Sequence, residues 1–523
     1  MTASGGSGHD AVVGRTMARI ARSGAANLVG TGISTALTFL LVLIIARVYP
    51  AQQAGAFFAL TSVFLILLAL VEAGADQALV RAIARARARG ETEYVPTVLR
   101  TGVLGVLAAA SVAAVIGVIA AEPLAELMVG ADLVPPVSGA LRVLAITLPV
   151  AACYELLLAA TRGYGLFRPT IVIERLVRPA LQPVAAIAVA VAGGELTALA
   201  MAWAAPYLAG LVAAAVALRR IRKTRAPSGG GPDPELTAAE AAATRSGFWR
   251  YALPIGLVRV CQVTLQRADI VLIAALIGPK EAAIYTAVTR FLVVGQLALQ
   301  AVQQVIQPWL VTLLAIHDHA VTSTVFKRIT AWFVALAWPM YLVCAVFAEN
   351  LARVFGPAYV AGASSLVLLS LAMLLATAMG PLDVLLQMSG RSGTSMINAF
   401  VAVFVDVGLC VLLIPNHGMI AAAAARVAAV WTRNLLTVIQ VRRQLDIRAG
   451  SRALAQVCIL AAAWFGLLGL ILDGVLGGPV AIALTICVGG LGYLASMWLL
   501  RDSLGLTALA AIRRRSSALA HAR

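Results

Sequence analysis

The sequence predicts an all-α polytopic membrane protein of about fourteen transmembrane helices, two pseudo-symmetric six-helix lobes followed by two C-terminal helices. Three observations predict it. Of 523 residues, 61% are hydrophobic and only 12% charged, with a mean hydropathy of +0.93, whereas soluble domains are about a quarter charged. Apolar runs recur along the whole chain, and about 20 such residues span a roughly 30 Å hydrocarbon core. Basic residues alternate between rich and poor connections, as loops on opposite sides of a membrane do.

The elements follow in order. Residues 1–22 are polar and basic and precede a span too long for a signal-peptide core, so they read as a cytoplasmic tail. The first lobe, 23–219, holds spans near 24–48, 54–75, 100–121, 139–161, 170–192 and 196–218. Residues 220–248 form a Gly-, Pro- and Ala-rich cytoplasmic linker. The second lobe, 249–442, holds spans near 250–277, 284–314, 328–348, 362–388, 394–415 and 418–440. Two more, near 453–473 and 477–500, occupy 451–500, and a second basic tail fills 501–523.

The charges fix an orientation. About 31 of the 40 basic residues fall on one side, among them Arg81, Arg85, Arg87, Arg89, Arg162, Arg168 and the linker arginines. The opposite connections hold Arg47, Arg142, Lys280 and Arg353 beside Glu122, Glu126 and Asp132. Both termini are therefore expected in the cytoplasm. The net charge of +17 is assigned to anionic lipid and not to nucleic acid. Cys153, Cys261, Cys344, Cys410, Cys458 and Cys487 sit in or beside apolar runs without a Cys-x-x-Cys partner, so small core residues are expected. His317 and His319 read as a solvated loop pair, and no metal site is expected. No phosphate-binding loop, zinc-protease motif or Ser/His/Asp set is present, and the outer connections are too short for a folded domain. The expectation is a protein that makes and breaks no bonds.

Polar residues inside the spans carry the functional signal. Ionised groups in hydrocarbon cost at least a few kcal/mol each on insertion scales, so they need an internal reason. In "RVCQVTLQRADIVLIAALIG", Arg259, Gln262, Gln266 and Asp269 fall within roughly an 80° arc of a helix, with Arg267 at its edge. Asn27, Thr31, Ser34 and Thr38 form a stripe on the first span. Gln296, Gln300, Gln303 and Gln307 form another on the eighth. Sliding the chain on itself by 228 residues places Ile45 on Ile273, Ala54 on Ala282, Phe57 on Tyr285 and Ala59 on Ala287. The same shift puts Thr31 on Arg259, Ser34 on Gln262, Thr38 on Gln266, Ser62 on Arg290, Glu72 on Gln300 and Asp76 on Gln304. Parallel repeats of this kind build many transporters. Such stripes either bond helix to helix or line a wet cavity between the lobes, and the arginines favour the cavity.

The stretch "ARVYPAQQAGAFFALTSVFLILLALVEAGADQALVRAIARA" resembles the first-loop and second-helix signature of the bacterial polysaccharide-export flippases. These are the Wzx-type branch of the multidrug/oligosaccharidyl-lipid/polysaccharide superfamily. "LPIGLVRVCQVTLQRADIVLIAALIGPKEAAIYTAVTR" resembles their seventh-helix segment, and "NHGMIAAAAARVAAV" the opening of their twelfth. The resemblance implies a flippase of the bacterial cytoplasmic membrane that works by alternating access. Its cargo would be a polyprenyl-pyrophosphate-linked glycan, received from glycan-assembly glycosyltransferases or passed to a polymerase. Arg259, Arg267 and Arg290 would hold the pyrophosphate, since Arg matches phosphate oxygens. The amides and hydroxyls of the three stripes would bind sugar. Lipid II is an alternative cargo. A cation-coupled drug antiporter of the same superfamily is a rival, disfavoured by arginines where a cationic drug would need acidic or aromatic groups. A glycosyltransferase or polymerase would need acidic residues on a substantial outer loop, and a bare scaffold would not need matched stripes.

No cofactor is implied beyond a coupling ion, Na⁺ or H⁺. In the related lipid II flippases a cation site draws on helices seven, eleven and twelve. Asp269 and Asp406 match two of those contributions, while the twelfth span carries Arg426 at a similar depth, roughly 12–14 Å in by residue count. Two readings stay open: a cation or proton site, and a structural Asp–Arg–Asp cluster. Asp76 is expected to pair with Arg81 or Arg85, Glu155 with Arg178, and Glu72 lies near the cytoplasmic end of its span.

Overall fold

A computed structural model describes residues 28–91, 93–130, 133–225, 238–315, 319–388, 392–445 and 451–500. The two tails, linker residues 226–237, Asn27 and His317 lie outside them. Among the described residues the structure is helical, with no strand. Fourteen helices are long enough to cross a membrane. They are α1 (Leu28–Val48), α2 (Ala51–Glu72), α3 (Tyr94–Ile119), α4 (Val134–Gly163), α5 (a π segment Thr170–Val177 continued by Arg178–Val191), α6 (Leu196–Arg225) and α7 (Ala238–Leu276). The rest are α8 (Pro279–Ala315), α9 (His319–Val346), α10 (Pro357–Ala378, its first turn a 3-10 segment), α11 (Ser392–His417), α12 (Met419–Leu445), α13 (Arg452–Val475) and α14 (Gly478–Leu499).

Ten of these regions are also apolar enough to count as membrane spans by composition alone. Among the described residues α5, α7 and α12 fall short. They carry Glu174, Arg175 and Arg178; Arg259, Arg267 and Asp269; and Arg426 and Arg433, while α8 carries Arg290 and the glutamines. The helices least suited to lipid are thus the ones that bear the polar chemistry, which places a functional demand on them. Elsewhere the exposed faces are apolar, as at Val112, Val115, Ile116 and Ile119 of α3 and Leu491 and Leu494 of α14. Those are faces for hydrocarbon.

Two compact units divide the chain between Ala283 and Ile284. Within the first unit α7 packs along α2 and along the short helix Ala75–Arg89. Small residues allow the approach. A Cβ on Gly55 would sit 1.6 Å from the Pro279 carbonyl oxygen, and one on Gly256 would sit 2.1 Å from the Ala73 carbonyl carbon. Between α2 and Ala75–Arg89 the chain turns through Ala73 (φ 46°) and Gly74 (φ 77°), the left-handed region where glycine carries no Cβ penalty. A Cβ on Gly74 would also meet the Ala252 carbonyl oxygen at 2.3 Å.

An aromatic cluster forms the heart of the first unit. Trp203 and Tyr207 of α6 meet Phe64 of α2 edge-on at 5.4 and 5.8 Å, and Tyr154 of α4 meets Tyr207 at 5.7 Å. Edge-to-face pairs at such distances add to area burial. Gly210 leaves room for the Tyr154 ring, 2.7 Å from where its Cβ would stand.

In the second unit α11 pairs with α12, and α9 packs against α10 and α13. Phe326, Phe333, Leu385, Leu386 and Val441 form one buried cluster. Phe347, Phe465 and Tyr493 anchor the last two helices in another.

Burial follows the 228-residue repeat. Ile45 and Ile273, Ala54 and Ala282, Phe57 and Tyr285, and Ala59 and Ala287 are all buried. The cysteines are all free. Cys261, Cys344 and Cys410 are core residues as expected, Cys153 and Cys458 are half-buried, and Cys487 is exposed. The last departs from the expectation because the α14 surface around it, Ile486 and Val488, is itself exposed and apolar.

Candidate functional site

On α7 the polar residues differ in exposure. Arg259 and Gln266 are exposed, Gln262 and Arg267 half-buried, and Asp269 is 2% exposed. The split follows from helix geometry, since Asp269 stands at the edge of the arc and turns into the packed side. One Asp269 carboxylate oxygen accepts the Ile270 backbone N–H at 2.9 Å. An exposed guanidinium this far inside a membrane-spanning helix faces water, because lipid rejects it.

On α1, in the same unit, Thr31, Ser34 and Thr38 are half-buried, and the Thr38 hydroxyl donates to the Ser34 carbonyl at 2.8 Å. On α8 of the second unit Gln296 and Gln300 are exposed, while Arg290 and Gln303 are half-buried. The side chains of Gln304 and Gln307 lie outside the described set. Ser62, the repeat partner of Arg290, is fully buried and donates to Phe58.

Beneath the α7 stripe the first unit carries a cluster of charges. Glu72 at the C-terminal end of α2 is 8% exposed, its Oε1 has no hydrogen-bond partner, and it lies within electrostatic reach of Glu155, Asp76, Arg259 and Arg162. Arg162 pairs with Glu174 of the π segment at 3.5 Å. Arg178 donates to the Tyr207 hydroxyl at 2.7 Å, with its guanidinium over the ring. The expected Glu155–Arg178 ion pair is therefore not formed within 4 Å, although the Arg178 charge acts on Glu155. A π segment lets Glu174 and Arg178 point where an unbroken α-helix would not take them, and such bulges recur at functional sites.

The expected pairing of Asp76 is also corrected. Asp76 accepts a hydrogen bond from Gln77 at 3.1 Å, while Arg81 lies 4.0 Å over the Tyr251 ring of α7. On helix Ala75–Arg89 a residue five positions on is about 140° round the axis, and one nine positions on is about 180° round. Neither arginine shares the face of Asp76.

The second unit holds an acid–base pair that the sequence reading missed. Asp383 of the short helix Leu382–Met388 is paired with Arg433 of α12 and accepts from the Ser395 hydroxyl of α11 at 2.6 Å. Asn398 and Gln440 exchange amide hydrogen bonds at 2.7 and 2.9 Å. Deeper in, Asp406 is fully buried with Arg426 at 3.9 Å. A signal for the first pair existed: the 228-residue shift places Glu155 on Asp383. The acid of α4 in the first unit thus has a repeat counterpart in the short helix Leu382–Met388 of the second.

The Asp406–Arg426 pair yields a prediction. Removing one partner of a buried pair strands the other, typically at about 3–5 kcal/mol, and the fraction of Arg426 left exposed lowers that to about 2–3 kcal/mol. Arg426→Leu should lower thermal stability clearly, and Arg426→Leu with Asp406→Asn should restore most of it. A single variant as stable as wild type would remove the structural role.

A family model described as "Polysaccharide biosynthesis protein" matches residues 20–314, more than half of the chain. The chain belongs to this family. No curated protein sequence matches it significantly. Among solved structures the family member is similar to "Lipid II flippase MurJ, inward closed conformation", at a TM-score of 0.71 and 11% identity, covering 91% of this chain and 99% of that one. It is also similar to an inward-facing multidrug resistance MATE family transporter of the MOP superfamily, at a TM-score of 0.65 and 14% identity, covering 79% of this chain and 95% of that one. At such identities the likeness is one of fold. A multi-pass helical architecture shared with MOP-superfamily transporters is therefore the structural setting of these polar helices.

Proposed function

We propose that this polysaccharide-biosynthesis family member is a flippase that moves a polyprenyl-pyrophosphate-linked oligosaccharide across the bacterial cytoplasmic membrane by alternating access. The observation that carries the reading is the α7 stripe, with Arg259 exposed and Arg267 half-buried inside a membrane-spanning helix. A diphosphate carries at least two negative charges, and two guanidinium forks meet them with paired hydrogen bonds. Gln262, Gln266, Thr31, Ser34 and Thr38 in the first unit supply donors and acceptors suited to sugar hydroxyls. Arg290, Gln296, Gln300 and Gln303 offer the same chemistry from α8. Both termini are assigned to the cytoplasm, where assembly enzymes would deliver the glycan.

Coupling is assigned to Asp269, for H⁺ or Na⁺. Asp406 does not fit a cation site built on its own charge, because Arg426 already neutralises it at 3.9 Å. Lipid II is the second reading, favoured by the similarity to the MurJ fold, and it offers the same pyrophosphate and sugar to the stripe.

The test is transport of polyprenyl-pyrophosphate oligosaccharide and of lipid II, each in proteoliposomes of the purified protein. Flipping of the first alone supports the proposal. Flipping of lipid II alone reassigns the cargo, and failure with both beside export of a cationic dye supports an antiporter.

A further inference from the structure

At one end of the first unit a groove of about 490 Å³ is lined by Leu166, Arg168, Pro169, Val216, Ala217 and Arg220. Its walls are otherwise apolar. Arg168 and Arg220 are both exposed, and among the described residues neither guanidinium has an ion pair, hydrogen bond or ring partner. Arg219, Arg222 and Lys223 surround them and are exposed too. The depth can be counted along α6. From Leu196, about 20 residues at 1.5 Å each cross a roughly 30 Å core, which brings Val216 to the edge of the hydrocarbon and Arg220 one turn beyond it. Arg168 stands just before α5, at the same end. Phe167 beside it is 45% exposed, an aromatic suited to the headgroup level.

We infer that this groove binds an anionic phospholipid of the bilayer, its phosphate between Arg168 and Arg220 and an acyl chain along Leu166, Val216 and Ala217. A free anion would satisfy the arginines but not the apolar floor, and a zwitterionic lipid would bring its own cation among five basic side chains. Two unpartnered guanidinium groups with an apolar slot below them match a phosphate with a chain attached. The site is separate from the α7 stripe and does not depend on the cargo.

Lipid adducts on the full-length protein, counted by native mass spectrometry in detergent, test this. Phosphatidylglycerol and phosphatidylcholine of identical chains are compared, with glycerol phosphate as the headgroup alone. The expected result is at least about fivefold more phosphatidylglycerol than phosphatidylcholine, and no retention of glycerol phosphate. Arg168→Gln with Arg220→Gln should bring phosphatidylglycerol down to the phosphatidylcholine level. Arg219→Gln with Arg222→Gln loses the same charge outside the groove and should retain the preference. Val216→Trp keeps every charge, fills the groove, and should also abolish it, which guards against misfolding of the arginine variant. Equal loss in both arginine pairs, unchanged binding in Val216→Trp, tight glycerol phosphate binding, or displacement of phosphatidylglycerol by an equimolar polyprenyl pyrophosphate would each overturn the assignment.

Discussion

Replacing Arg259 or Arg267 by alanine should abolish transport of a pyrophosphate-linked glycan while leaving a folded, membrane-inserted protein. Hydrogen bonds to charged groups contribute about 1.5–3 kcal/mol each, so either loss should weaken cargo binding roughly ten- to hundredfold. Lysine variants should fall between, because an ammonium keeps the charge but not the planar fork. Arg259 is exposed, so its removal disturbs little packing, but it has a neighbour that needs it: Glu72 lies within its electrostatic reach. A second variant separates the two roles. If Arg259 serves only to neutralise Glu72, Glu72→Gln added to Arg259→Ala recovers transport. If Arg259 holds the cargo, the double variant stays inactive. Transport by Arg267→Ala at the wild-type rate, measured in the same proteoliposomes, would sink the pyrophosphate assignment for that residue.

The fold was legible because a bilayer imposes one rule on every segment, and the apolar runs report it directly. Even α5, α7 and α12, which composition alone does not mark as spans, were found, since the loops on either side kept the charge alternation in phase. The site was legible only along single helices. The α7 stripe could be read because Arg259, Gln262 and Gln266 recur at helical spacing. Most partnerships between helices could not, although matched depth had offered Asp406 with Arg426 as one reading. Arg178 turns to Tyr207 and not to Glu155, Arg81 to Tyr251 and not to Asp76, and Asp383 finds Arg433 fifty positions away. Each of these choices depends on which faces the packing brings together, and a charged residue near an oppositely charged one in sequence carries no such information. The repeat was the one long-range signal available, and it would have marked Asp383 through Glu155.

The α2–α7 seam carries the second large effect. The two helices run antiparallel; at one end Gly55 of α2 meets Pro279, the first residue of α8 just past the end of α7, and at the other Gly74 and Gly256 meet at the turn near Ala73. Carbon atoms pack at roughly 3.5–4.0 Å, so a methyl placed 1.6 or 2.1 Å from backbone must force the helices apart, because backbone cannot rotate out of the way. Gly256→Ala should therefore open the end toward the basic loops, and Gly55→Ala the opposite end, each at about 1–3 kcal/mol of stability. Alternating access requires one end of such a seam to part while the other stays shut, so the two variants should act in opposite directions on the same water-facing stripe. A single cysteine at Gln266, in a background without the native six, reports this through labelling by a membrane-impermeant maleimide from either side. Gly256→Ala should raise labelling from the cytoplasmic side and Gly55→Ala from the other. Both should slow transport, since a wedge favours one state of a cycle that must visit two. Labelling that rises on the same side in both, or in neither, would mean that the seam is a fixed part of the first unit and that access opens elsewhere.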